Sequence, residues 1–202
     1  MKHGLFGGTF DPPHVGHLMM AEVARESLNL DVVDFIPANI PPHKLGQHVQ
    51  SATLRVKMLE TAVAQFPFFR VSTIELERQG ISYTIDTVRA ISAENPEDEL
   101  FLLVGADMLK DLPHWKEIDE LLALVTVVAA PRPGILLQET ADALQKQYGH
   151  ARMVVLSMPE LDISSTWLRE RMRNRLRVDP LLPAGVAEVI LREGGYRNGP
   201  VS

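Results

Sequence analysis

Short apolar runs alternate with helix-period segments along the whole chain. Segments 3–6, 32–36, 69–72, 100–104, 125–130 and 153–156 read as strands. They are rich in Val, Leu, Ile and Phe without polar alternation, the pattern of strands covered on both faces. Between the first two, Met20, Val23, Ala24, Ser27 and Leu28 follow the i, i+3, i+4, i+7, i+8 template, so a helix opens near His17. Further helices are predicted over 52–65, 85–94, 118–124, 139–148, 166–175 and 184–192.

Strand and helix in alternation imply βαβ units. The expected fold is α/β: one Rossmann-like, doubly wound, mostly parallel sheet with helices on both faces. At 202 residues the chain fits one domain, 1–202, with the C-terminal helices of about 164–192 packed on it. No repeat or low-complexity linker interrupts it. Pro131-Arg132-Pro133-Gly134 reads as a turn, and the Gly-rich tail 197–202 is expected to fray after Tyr196.

In open parallel sheets, ligands bind outside the carboxyl ends of the strands. The segment that follows strand one is Gly7-Gly8-Thr9-Phe10-Asp11-Pro12-Pro13-His14-Val15-Gly16-His17. The paired Gly let the backbone approach a ligand or adopt positive φ. The two Pro stiffen the turn, and Gly16 removes a side chain where the helix starts. His14 and His17, three apart, can face one concave site beside a helix N-terminus, whose N–H groups and dipole attract phosphate. Neither a Gly-Lys P-loop nor Gly-x-Gly-x-x-Gly follows the strand. Two His without a matching carboxylate or Cys set make a poor zinc site.

A net charge of −6 argues against wholesale nucleic-acid binding but leaves room for a local basic cleft. With 46% hydrophobic and 23% charged residues, the composition is that of an ordinary globular protein. There is no Cys, which excludes disulfides and thiolate metal sites. The longest apolar stretch, 121–130, falls short of the ~20 residues that span a bilayer, and no signal-peptide pattern precedes strand one. A cytoplasmic protein without a membrane or nucleic-acid partner is expected; oligomeric state is not legible.

The histidine turn resembles the signature of the HxGH nucleotidyltransferase superfamily, in which the two His stabilise the α-phosphoryl group during transfer. A second segment, Ile163-Ser164-Ser165-Thr166-Trp167-Leu168-Arg169, is similar to the family's Ile-Ser-Ser-Thr-x-x-Arg motif. Read alone, it is either helix capping followed by a solvated Arg or a helix-start anion site that Arg169, one turn inside, can reach. The resemblance makes it a holder of ATP phosphates, with Trp167 read as packing.

Further segments are similar to the nicotinate-nucleotide branch. Lys44, in Pro41-Pro42-His43-Lys44, is a candidate phosphate contact. Thr84, in Ser82-Tyr83-Thr84-Ile85-Asp86-Thr87, is the expected N-cap of its helix. Asp107, after Gly105-Ala106, could accept from ribose hydroxyls. Trp115 resembles a ring-stacking Trp, with core packing as the alternative.

The resemblance implies transfer of AMP from ATP to nicotinate mononucleotide, with Mg²⁺ carried on the ATP phosphates. It assigns catalysis to His14, His17, Lys44 and Arg169. ATP binding falls to Gly7, Gly8, Gly16, Gly105, Asp107, Ile163, Ser164, Ser165 and Thr166. Mononucleotide binding falls to Thr9, Phe10, Asn39, Thr84, Trp115 and Arg132. Rival readings are a phosphopantetheine or nicotinamide mononucleotide enzyme of the same superfamily, or a nucleotide sensor without turnover.

Overall fold

A computed structural model describes residues 1–40 and 49–196. Six strands form one sheet: β1 (Lys2–Gly8), β2 (Val32–Pro37), β3 (Phe69–Val71), β4 (Glu99–Gly105), β5 (Val125–Ala130) and β6 (Arg152–Val155). Their order is β3-β2-β1-β4-β5-β6, and every neighbouring pair is parallel. The expectation of a mostly parallel sheet thus becomes a fully parallel one. All six residues of β2 and of β5 are buried, as strands sandwiched between helical layers must be.

Side chains alternate across the pleat, so each strand feeds two cores. On one face Leu5, Leu100, Leu102, Val104 and Val127 meet Ile85, Val88 and Ile91 of α4 (Thr84–Glu94). The same cluster takes in α5 (Ala106–Asp111), α6 (Ile118–Leu124) and α7 (Leu137–Gln147). On the other face Phe6, Val33, Phe35, Phe101 and Leu103 meet Met20, Ala21 and Ala24 of α1 (Val15–Leu28) and Leu59 and Val63 of α2 (Ala52–Val63). The helices end where local chemistry ends them. Asn29 closes α1 in the left-handed conformation, φ 52°, while the Ser51 hydroxyl accepts from Leu54 N–H at 3.2 Å to open α2.

A third cluster joins α2 to the C-terminal helices α8 (Ser165–Arg173) and α9 (Val186–Glu193). Leu54, Met58 and Ala62 pack there against Leu168, Val186, Val189 and Ile190. Two helices escaped the sequence reading, α3 (Ile74–Arg78) and α5. At 5 and 6 residues they are too short for a helical period to register.

The sheet reverses winding direction between β1 and β4. A crevice at such a switch point, beyond the strands' carboxyl ends, is where this topology admits ligands. No helix among the described residues is long and apolar enough to cross a membrane.

Candidate active site

β1 runs out at Gly7-Gly8, and the next ordered element is the N-terminus of α1, capped by His14 in extended conformation. The His14 backbone N–H donates to His17 Nδ1 at 3.1 Å, and the His17 N–H donates to the His14 carbonyl at 2.9 Å. Because Nδ1 accepts, the His17 proton lies on Nε2, making that nitrogen a donor. The two rings stack with centroids 3.6 Å apart, and Phe10 meets the His17 ring edge-on at 5.0 Å.

His14 is buried, and its Nδ1 has no hydrogen-bond partner among the described residues. Burial, and secondarily the positive charge of Arg132, push its pKa down to about 4. It is therefore neutral at neutral pH. Gly16 leaves room for this ring: a β-carbon there would lie 3.1 Å from His14 Nδ1.

A cleft of about 530 Å³ opens over the histidine pair. It is floored by the strand ends Gly7, Gly8, Val104, Gly105 and Ala130, and the N-termini of α1, α4 and α8 all open onto it. Each contributes backbone N–H groups and the positive end of a helix dipole. The cap of α8 is Ser164, whose hydroxyl accepts from Trp167 N–H at 3.2 Å. The cap of α4 is different. Tyr83 occupies the position without a side-chain hydrogen bond, and the N–H groups of Thr84 and Ile85 have no partner among the described residues. Trp115 lines the same cleft, half-packed on the first core. Two ion pairs rim it, Arg132 with Asp107 and, at 3.2 Å, Lys116 with Asp86.

The cytidylyltransferase-like family model matches residues 5–171. The chain is 44% identical to the probable nicotinate-nucleotide adenylyltransferase of Geobacillus kaustophilus, over 96% of this chain and 86% of that one. It is 39% identical to the nicotinate-nucleotide adenylyltransferase of Bacillus subtilis, over 98% and 99% of the two chains. The chain belongs to the nicotinate-nucleotide adenylyltransferase family. It is thus a nucleotidyltransferase. Its fold matches the Plasmodium falciparum nicotinic acid mononucleotide adenylyltransferase complexed with APC, with a TM-score of 0.81 over 98% of both chains at 14% identity. The same enzyme complexed with NaAD gives 0.79 at 16% identity.

The cleft gathers most of the residues expected from the sequence. His14, His17, Gly7, Gly8, Thr9 and Gly16 line it, as do Gly105, Asp107, Thr84, Trp115, Arg132, Ile163, Ser164, Ser165 and Thr166. Neither Gly7 nor Gly8 takes positive φ. A β-carbon at Gly7 would meet nothing within 4 Å, whereas one at Gly8 would lie 3.0 Å from the Phe10 ring, so Gly8 makes room for that ring. Lys44 lies outside the described residues.

Two expectations, for Thr84 and Trp167, need correction, and the side chains of Phe10, Asn39 and Arg169 are engaged within the protein. Thr84 is the first helical residue, not the cap, because Tyr83 already holds the extended cap conformation. Phe10 lines the cleft, with its ring 2% exposed and set edge-on behind His17. Asn39 is outside the lining; its side chain donates to the Gly80 carbonyl at 3.0 Å. Arg169 is also outside the lining, with Nη1 donating to the Asp11 carbonyl at 2.7 Å and Nη2 to Thr166 Oγ1 at 3.2 Å. Trp167 is not packing but 39% exposed, with the Arg171 guanidinium over its ring.

Among the described residues, no three His, Asp or Glu side chains are placed to hold a metal. The sequence reading passed over Met158 and Leu161, which give the cleft apolar wall, and over Glu75 and Thr87 beneath it. No short motif marks them.

Proposed function

We propose that this enzyme transfers the adenylyl group of ATP to the phosphate of nicotinate mononucleotide, releasing pyrophosphate and forming nicotinate adenine dinucleotide. The observation that carries the choice of acceptor is the unsealed N-terminus of α4 on the same cleft as the histidine pair. A helix start without a capping side chain offers free N–H donors to an anion. A pyridine ring against Trp115 with its carboxylate on Thr84 and Ile85 N–H would use both features. The relatives named for this activity support the reading.

The reaction needs no covalent intermediate. The second pKa of a phosphomonoester is near ~6, so the attacking oxygen is anionic at neutral pH. The chain's part is to position two anions and stabilise charge on the α-phosphoryl group. His17 Nε2 donates to that group. His14, neutral and buried, stands beside it. The α8 N-terminus, with Ser165 and Thr166, receives the remaining ATP phosphates, Arg169 fixes the loop below them, and Lys44 adds positive charge. Mg²⁺ enters as part of the ATP substrate. One catalytic unit spans the chain and works in the cytosol, with no nucleic acid or membrane as partner.

The test is kcat/KM for nicotinate mononucleotide and nicotinamide mononucleotide at saturating MgATP, followed by pyrophosphate release. An amide would set an NH₂ donor against N–H donors, a mismatch of about 1–3 kcal/mol for neutral groups. The acid should be preferred at least about tenfold. Equal values, or preference for the amide, would remove the role given to α4.

A further inference from the structure

The turn that carries the histidine pair has few backbone partners of its own, and side chains remote in sequence hold it. The Arg55 side chain of α2, only 2% exposed, donates from Nη1 to the Thr9 carbonyl at 3.0 Å and from Nε to the Gln50 carbonyl at 3.1 Å. Asp11, also 2% exposed, accepts from Tyr196 Oη at 2.5 Å and from Gln50 N–H at 3.4 Å. From α8, Ser165 Oγ donates to the Pro12 carbonyl at 2.8 Å, and Arg169 holds the Asp11 carbonyl. Three carbonyls and one carboxylate within four residues are thus fixed from three separate elements. None of these donors but Ser165 reaches the cleft.

We propose that Tyr196 and Arg55 are positioning residues for the phosphoryl-transfer step, acting through Asp11 and Thr9 to set where His14 and His17 stand. The inference rests on the adenylyl-transfer reading above. Tyr196 lies 185 residues from Asp11, directly beyond α9, whose apolar face is packed on α2. The C-terminal helices therefore do more than cover α2: they finish the turn that begins at β1. Burial and the neighbouring Asp11 carboxylate push the Tyr196 hydroxyl far above its ordinary pKa, so it stays a neutral donor throughout the working range. Positioning of this kind matters in the transition state, where small misplacements of a donor reduce rate steeply.

The experiment is a double-mutant cycle on kcat with Tyr196→Phe, which deletes one hydroxyl and keeps the packed ring, and His17→Ala. Tyr196→Phe alone should lower kcat about tenfold while KM for each nucleotide changes less than about threefold. Arg55→Lys, which keeps the charge but loses one of two contacts, should shift kcat in the same direction. In the His17→Ala background, Tyr196→Phe should have a clearly smaller effect, because one of the two rings it positions is gone. Full additivity, or wild-type kcat in Tyr196→Phe, overturns the proposal. A His17→Ala enzyme that retains its kcat would instead overturn the reaction reading, so the two failures are separable.

Discussion

Two histidines are buried at opposite ends of β1, and the protein treats them differently. His3, at the amino end, lies between two carboxylates, with Nε2 2.8 Å from Asp34 and Nδ1 3.4 Å from Asp98. Asp34 also accepts from Arg70 Nε at 2.8 Å. Burial opposes ionisation of Asp34, but the bonds from His3 and Arg70 outweigh it and hold the carboxyl below its ordinary pKa. His14, beyond the carboxyl end, has an arginine as its charged neighbour and no ion-pair carboxylate among the described residues; its Nδ1, like that of His3, makes no hydrogen bond there. Buried polar groups are ordinarily paired within the protein. Where the protein supplies the partners, the residue braces the sheet. Where it gathers three helix N-termini around a ring whose charged neighbour is an arginine, we expect the partner to come from the ligand.

The largest effect should separate the two ends outright. On the proposed reaction, His17→Ala removes one preorganised donor to the α-phosphoryl group and should lower kcat about 10²–10³-fold with little change in KM. At the other end, Asp34→Ala strips a buried carboxylate from His3 and Arg70. Breaking such a pair costs about 3–5 kcal/mol, and because Arg70 is half-exposed the loss should be about 3 kcal/mol. Its kcat should stay within about twofold of wild type. Urea unfolding and pyrophosphate release on both variants decide the matter. An Asp34→Ala enzyme as catalytically impaired as His17→Ala would erase the distinction.

The strands and the histidine turn were legible in the sequence, the pairing of His3 was not, and the difference has physical causes. The six strands announced themselves because parallel strands are apolar on both faces, and segment 125–130 coincides with β5. The histidine turn was legible because two His, three Gly and two Pro after a buried strand have few structural uses. The partners of that turn were not. Arg55 reads as an ordinary helical Arg and Tyr196 as the last residue before a fraying tail, since nothing local announces a contact across 185 residues. Arg169 was placed on the anion because its helix position permits it; nothing local announces that its Nη1 donates to the Asp11 carbonyl. Tyr83 took the cap that Thr84 seemed suited to, because the extended conformation ends one residue earlier.

A smaller effect concerns stability against pH. His14 is held at about 4 in the folded chain against an ordinary 6.5. As pH falls below about 6.5 the unfolded chain takes up a proton that the folded chain resists, so stability falls with pH until about 4. Between pH 7.5 and 5 the loss should be about 2 kcal/mol. The charged and titratable neighbours of this ring, Arg132 and His17, remain in place in a His14→Asn variant, so subtracting its pH profile isolates the His14 contribution. Superimposable profiles would mean that the ring is not held neutral by its surroundings.

The smallest effect isolates geometry from chemistry. Gly16 lies in the first turn of α1, one residue before His17, and adopts no conformation that requires glycine. By helix propensity alone, Gly16→Ala should stabilise the protein by up to about 1 kcal/mol. The new methyl, however, would lie 3.1 Å from His14 Nδ1 and 3.2 Å from Cε1, so the ring must shift by a few tenths of an ångström. The ring it presses is stacked on His17 at 3.6 Å, and any tilt of His14 passes to its neighbour. We expect Gly16→Ala to lower kcat about tenfold, roughly 1.4 kcal/mol of barrier, while its unfolding midpoint stays equal to or above wild type. Stability and rate moving in opposite directions would mark a position where room for the histidine pair outweighs helix stability. A variant that is more stable and equally fast would show that the cleft tolerates a repositioned His14, and would transfer the demand for precision to His17 alone.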